Sequence, residues 1–104
     1  MTAAGWISGR EPAPPPRLAA RLQHIAGADS VEEALLPRFL IERSAHVLRE
    51  LLLAGETARD GALELLAADA LVTYALEAQA GDPDGLDACC EWAMAHLSRA
   101  AGEV

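Results

Sequence analysis

The sequence predicts an all-α fold, a small four-helix up-down bundle preceded by a Pro-rich, extended or disordered N-terminal arm. Three observations predict it. Apolar residues recur at helical spacing over most of the chain, a glycine follows each predicted helix, and no run alternates apolar and polar residues as a half-buried strand does. Because the connections are short, successive helices are expected to be antiparallel neighbours.

The 104 residues suit a single domain. We expect the arm at residues 1–16 and one helical-bundle domain at 17–104. The predicted helices of that domain span about residues 16–26, 31–54, 58–80 and 83–101.

The predicted arm contains four prolines and two glycines within residues 1–16, a composition that disfavours helix. Trp6 and Ile7 stand out in it. They are either a short docking motif for a groove on the same or another subunit, or an incidental apolar pair.

The second predicted helix begins with a capping-box signal, Ser30 followed by Glu33. Pro37 should either kink this helix or split off a short first turn, because it removes a backbone hydrogen bond. Thr57 and Asp60 form a similar start signal for the third helix.

We expect the third helix to be the central one, on the pattern of its residues 62–80. Leu63 and Leu66 begin one apolar stripe, while Leu65 and Leu76 belong to a second stripe on nearly the opposite side. A helix that is apolar on two sides is normally packed on two sides.

The second helix also carries more apolar surface than a four-helix monomer readily buries. Leu35, Phe39 and Leu53 form a stripe apart from its broad core face. We expect this surplus to make a homodimer interface, since two-fold dimers are the commonest soluble oligomers.

Charge and composition exclude several classes of partner. The net charge is −8, and residues 50–104 carry two Arg against eleven acidic residues. This argues against nucleic acid and anionic membrane as partners. Eight Arg, no Lys and no Asn are typical of a GC-rich bacterial genome. Because no apolar run is long enough for a span, no secretory signal is visible and only two cysteines occur, we expect a cytoplasmic protein.

Glu42, His46 and Glu50 occupy one row of the second helix at one-turn spacing. A histidine with two carboxylates can bind a divalent metal. The alternative is ordinary exposed ion pairing with neighbouring arginines.

A second candidate group, Cys89, Cys90, Trp92 and His96, lies on the last helix. It could contribute to a ligand site or a thiol redox sensor. The alternative is a small buried cysteine beside a common Trp–His boundary contact.

No phosphate-binding glycine loop, HExxH or GxSxG motif occurs, so we expect neither an enzyme nor a cofactor. The sequence favours a non-catalytic interaction or adaptor module that forms a homodimer and docks another protein. The alternatives are a bundle that binds a metal or small ligand, and a cysteine-based redox sensor.

Overall fold

The computed structural model describes residues 1–55 and 58–102, with the side chains of 58–60 left out. Five α-helices occur in this part of the chain: α1 (Ala3–Ser8), α2 (Pro16–Ala26), α3 (Leu36–Ala54), α4 (Ala58–Gln79) and α5 (Leu86–Gly102). Single 3₁₀ turns precede α3 and α5, at Glu33–Leu35 and Pro83–Gly85. Within the described ranges there is no strand beyond an isolated bridge between Thr2 and Ser30. The all-α prediction is therefore confirmed.

The centre of the fold is α3, which packs along α4 over most of its length and also against α5. Contact between α4 and α5 is slight, so the helices do not form the predicted up-down ring of neighbours. The interpretation of residues 62–80 as the central helix, packed on two sides, is also wrong. Leu65 and Leu66 are both 55% exposed, and the outward side of α4 is uncovered within the chain.

The inner face of α3 supplies the largest buried side chains, among them Leu36, Leu40 and Ile41. Beside them Ser44 is also buried, and its hydroxyl donates a 2.7 Å hydrogen bond to the carbonyl of Ala68 on α4. A buried hydroxyl needs such a partner. This bond sets the longitudinal register of α3 against α4.

An ion pair joins α2 to α4. The Arg21 guanidinium donates from Nε to Glu64 Oε1 at 2.6 Å and from Nη2 to Oε2 at 2.9 Å. Both side chains are half-buried, and the hydrogen bonds to Glu64 raise the pKa of Arg21. The two parallel bonds fix the orientation as well as the distance of the two helices.

The N-terminus differs most from expectation, because residues 3–8 form a helix instead of an extended or disordered arm. Thr2 caps this helix by accepting from the Gly5 N–H at 3.0 Å. Ile7 is only 2% exposed, and Trp6 packs edge-on against Tyr74 with ring centroids 6.2 Å apart. Burial of these two apolar side chains on their own chain offsets the cost of ordering the segment, which the density of prolines and glycines alone does not reveal.

The start of the second predicted helix is corrected as well. Residues 33–35 form a separate 3₁₀ turn, and Pro37 lies in the first turn of α3, where its missing N–H costs little. Of the two outcomes expected for Pro37, the split is the one observed. The Ser30 hydroxyl donates to the Met1 carbonyl at 3.3 Å instead of capping a helix. The Thr57 start signal lies outside the described residues.

Truncation of Ile7 tests whether the N-terminal helix is docked. Ile7→Ala removes buried methylene groups, so we expect the free energy of unfolding to fall by about 2–4 kcal/mol. Urea denaturation followed by circular dichroism measures it. The matched control is Met94→Ala, at a side chain 70% exposed, where a change below about 0.5 kcal/mol is expected. Equal, small effects at both positions would contradict the docked helix.

Candidate interaction surface and inter-helix pocket

The apolar stripe predicted on the second helix lies on the molecular surface. Leu35, at the N-cap of α3, is 54% exposed and Leu53, in its last turn, is 56% exposed. Phe39 between them is half-buried. We call the surface formed by these side chains the outer face of α3. It comprises Leu35, Phe39, Glu42, Arg43, His46, Glu50 and Leu53.

A groove opens at the N-terminal end of this outer face. Its volume is about 530 Å³, and Val31, Leu35 and Phe39 form its apolar part. Carboxylates such as Glu32 line its rim. The guanidinium of Arg43 lies 5.0 Å from the Phe39 ring centroid, in the range of a cation–π contact. The outer face therefore combines an apolar groove with charged side chains already positioned by packing.

The predicted interaction residues Trp6 and Ile7 lie elsewhere. Both pack within their own chain, against the cluster of buried residues that includes Tyr74. The guanidinium of Arg10 covers the Trp6 ring at 4.1 Å from its centroid. Trp6 and Ile7 therefore contribute to the packing of their own chain.

The predicted metal row is divided. Glu42 and His46 line a pocket between α3 and α5, together with Arg49, His96 and Arg99, while Glu50 does not line it. Among the side chains the structure describes, no three His, Cys, Asp or Glu come together in a group that could hold a metal ion. The pocket is instead dominated by nitrogen donors.

His96, on the lining of this pocket, belongs to a stack of planar side chains. Trp92 and His96 lie with ring centroids 4.9 Å apart and planes 15° from parallel. The guanidinium of Arg38 covers Trp92 at 4.9 Å from its centroid. Arg99 Nη2 lies 3.5 Å from His96 Nδ1, so a hydrogen bond there makes Nδ1 the acceptor and leaves Nε2 to carry the proton of a neutral ring. Packing thus fixes the orientation of His96.

The two cysteines take different environments, and neither lines the pocket. Cys89 is buried and Cys90 half-buried, and both thiols are free. Burial raises the pKa of the Cys89 thiol, its neighbour Cys90 raises it further, and Arg38 opposes the shift. A thiol with a raised pKa is mostly protonated at neutral pH and therefore a poor nucleophile.

A second exposed apolar surface, which we call the outer face of α4, was not distinguished from the core by sequence. Leu65, Leu66 and Leu76 lie on it, with Asp69 and Glu77 between and beside them. These positions fall within one side of a helical wheel. Among the side chains of this face that the structure describes, the charged ones are the carboxylates Asp69 and Glu77.

Sequence reasoning found Glu42, His46 and His96 but missed Arg49 and Arg99. A usable signal was present: Glu42, His46 and Arg49 share the i, i+4, i+7 spacing of Trp92, His96 and Arg99. Such spacing places each set along one side of its helix. What the spacing does not reveal is that His96 and Arg99 line the same pocket as Glu42, His46 and Arg49.

No helix within the described ranges is long and apolar enough to cross a membrane. In comparisons with known proteins, no protein-family model matches the chain, and no curated protein or solved structure is significantly similar to it. Function is therefore inferred from the surfaces and side chains described above.

The cysteine environments predict unequal reactivity. At neutral pH Cys90 should be alkylated by iodoacetamide at least about tenfold faster than Cys89, because only the thiolate reacts and burial disfavours it at Cys89. Each thiol is followed in a single-cysteine variant, Cys90 in Cys89→Ala and Cys89 in Cys90→Ala. Mass spectrometry of the folded variant over time measures the rate of alkylation. Raising the pH should accelerate alkylation of Cys89, because a larger fraction of its thiol is then ionised. Faster alkylation of Cys89 than of Cys90 at neutral pH would contradict the account and reopen the redox-sensor interpretation.

Proposed function

We propose that this protein is a non-catalytic interaction module that acts as a homodimer through the outer face of α3. The observation that carries the proposal is the exposure of two leucines, Leu35 and Leu53, at opposite ends of one helix with complementary charges between them. Surface leucines that occur singly need no explanation, but an ordered apolar stripe at helical spacing is typical of an interface.

The positions of these residues suit an antiparallel pairing of two α3 helices about a two-fold axis that crosses the outer face at the level of Ser44 along the helix. Leu35 and Leu53 are each nine residues from Ser44, on opposite sides of it. In an isologous interface, residue i of one copy contacts residue j of the other, and j contacts i. Leu35 of one subunit therefore meets Leu53 of the partner subunit, and the same contact occurs twice.

The charges on the outer face agree with this register. Glu42 and His46 are each two residues from Ser44, so each Glu42 lies beside His46 of the partner subunit. The Arg43 guanidinium reaches back over Phe39, five residues before Ser44, while Glu50 lies six residues after it. The pairing therefore brings Arg43 close to Glu50 of the partner subunit. Opposite charges meet in the Arg43–Glu50 pair, and the Glu42 carboxylate can accept a hydrogen bond from the His46 imidazole; such pairs fix the register more than they add affinity.

The groove beside Phe39 gives the partner leucine a place to enter. Val31, Leu35 and Phe39 line its apolar part, and the proposed register places Leu53 of the partner subunit at its mouth. Complete burial of a leucine contributes about 1.5–3 kcal/mol. Two such insertions in a symmetric dimer supply a substantial apolar contribution, with the charged pairs around them.

The outer face of α4 supports the adaptor part of the proposal. Its described charged side chains are Asp69 and Glu77, and these like charges would meet across a two-fold axis if the face paired with itself. Its leucines are suited to a different protein, one that presents an apolar helix face flanked by Lys or Arg. The dimer then offers two copies of this surface.

Truncation of Leu53 tests the dimer surface. Leu53→Ala should raise the dissociation constant of the dimer about 10- to 100-fold, because each dimer loses two buried side chains. Sedimentation velocity over a concentration series measures the constant. Leu65→Ala is the matched control, since Leu65 is 55% exposed against 56% for Leu53. An unchanged constant for Leu53→Ala, or an equal rise for Leu65→Ala, would contradict the proposed surface.

Charge reversal tests the register. Arg43→Glu and Glu50→Arg should each weaken the dimer by about tenfold or more, because each places like charges together twice. The double variant restores opposite charges in both pairs and should recover most of the affinity. Native mass spectrometry of the four proteins gives the fraction of dimer directly. If the double variant is weaker than either single variant, the register is wrong.

A further inference from the structure

Another pocket lies between α1, residues 9–15 and α2. Its volume is about 270 Å³, just below the range of pockets that hold drug-sized ligands, about 300–1,000 Å³. Five of the eight side chains that line it are aliphatic, among them Ile7, Pro14 and Ala20. We call this cavity the α1–α2 pocket. Its size and lining suit a small molecule with an apolar part.

The three polar side chains of the lining are Ser8, Arg10 and Gln23. The Ser8 hydroxyl and the Gln23 amide each donate to a backbone carbonyl of α1, at 2.8 Å and 2.9 Å. Arg10 is half-buried, and its guanidinium lies over the Trp6 ring at 4.1 Å from the centroid. Its Nε atom is buried and has no hydrogen-bond partner in the part of the chain that the structure describes. Arg10 is therefore the polar group of this lining that a ligand can satisfy.

Arg21 shows what a guanidinium forms in this protein when a carboxylate is within reach. It donates two parallel hydrogen bonds, from Nε and Nη2, to Glu64. Arg10 has no such carboxylate within the described ranges, and Glu11, next to it in sequence, is exposed and does not line the pocket. Because Arg10 Nε is covered while the side chain keeps some exposure, its terminal Nη groups are the donors that a ligand reaches. A half-buried charge without an acceptor is stabilised by a ligand that supplies one.

We propose that the α1–α2 pocket binds a small aliphatic carboxylic acid in its ionised form, with the carboxylate at Arg10 and the hydrocarbon tail against the aliphatic lining. The two Nη groups of a guanidinium match the two oxygens of a carboxylate. Each methylene that leaves water adds about fourfold to the affinity. Phosphate would leave the aliphatic lining in contact with water, and a neutral apolar molecule would leave Arg10 without an acceptor.

The position of Arg10 favours binding. Its guanidinium is held against the Trp6 ring before a ligand arrives, and a donor held in place loses less conformational entropy on binding. The described lining of this pocket has no residue in common with the groove on the outer face of α3. Binding in the α1–α2 pocket is therefore independent of the proposed dimer.

Isothermal titration calorimetry with hexanoate, hexanol and acetate at neutral pH tests the proposal. Hexanoate should bind at least about tenfold more tightly than hexanol, which has the tail without the charge. It should exceed acetate, which has the charge with little of the tail, by a similar factor or more. Amide NMR shifts with hexanoate should lie in α1 and α2. Equal affinities for hexanoate and hexanol, or no shifts in these two helices, would overturn the proposal.

Variants separate the charged and apolar parts of the site. Arg10→Gln should weaken binding of hexanoate by about tenfold and leave the affinity for hexanol unchanged, because it removes the charge alone. The matched control is Arg17→Gln, at an exposed arginine of α2 that does not line the pocket, and it should change neither affinity. Equal losses of hexanoate affinity for the two variants would contradict the role of Arg10.

A second variant leaves Arg10 in place, since Arg10 also covers Trp6 and its replacement requires a folding check by circular dichroism. Ala20 is exposed, so Ala20→Leu fills the pocket without disturbing the core. It should weaken hexanoate and hexanol alike by about tenfold, because less apolar surface then leaves water when either ligand enters. Unchanged affinities in Ala20→Leu would place the ligand elsewhere. Hexanoate should bind Leu53→Ala as it binds the unaltered chain, and loss of binding there would assign the ligand to the dimer surface instead.

Discussion

The buried contact between α3 and α4, with the hydrogen bond from Ser44 to the Ala68 carbonyl at its centre, is the constraint on which the other features depend. Because α3 packs against α4, Leu36, Leu40 and Ile41 are buried, and the opposite side of α3 faces outward. This orientation of α3 about its own axis places Leu35 and Leu53 on the surface.

The same packing creates the pocket. Arg38 lies beside Trp92 near the start of the contact between α3 and α5, and Arg49 lines a common pocket with Arg99 further along both helices. The two helices therefore run in the same general direction where they touch. Side chains from the i, i+4, i+7 rows of both helices, among them His46, Arg49, His96 and Arg99, therefore line one pocket.

Much of the helical architecture could be predicted from local signals. Pro16 and Gly27 mark the ends of α2, and Gly27 and Gly55 have φ of 70° and 61°, the left-handed region that favours glycine. Long-range packing could not be predicted in this way. The helix of residues 3–8 is stabilised by contact with Tyr74, some seventy residues away in the sequence. The density of prolines near the N-terminus does not reveal such a long-range contact. The sequence shows that α4 is apolar on two sides. Which of these sides is buried depends on the positions of the neighbouring helices.

The candidate surfaces were predictable to different degrees. Leu35, Phe39 and Leu53 could be separated from the core because their wheel positions are opposite to those of the buried α3 residues. The sequence could not show that Glu42 and His46 line the pocket between α3 and α5 while Glu50 does not, because this depends on the position of α5. Likewise the sequence could not show that Cys89 is buried and Cys90 only half-buried, because this depends on which side of α5 faces its neighbours.

The measurement that most directly tests the central claim is sedimentation equilibrium of the unaltered chain at tens of micromolar. If the outer face of α3 is covered by a second copy, the fitted mass is twice the chain mass of 10.9 kDa and falls towards that value on dilution. A single species of 10.9 kDa throughout the series would contradict the account, because the exposed leucines of α3 would then have no partner copy.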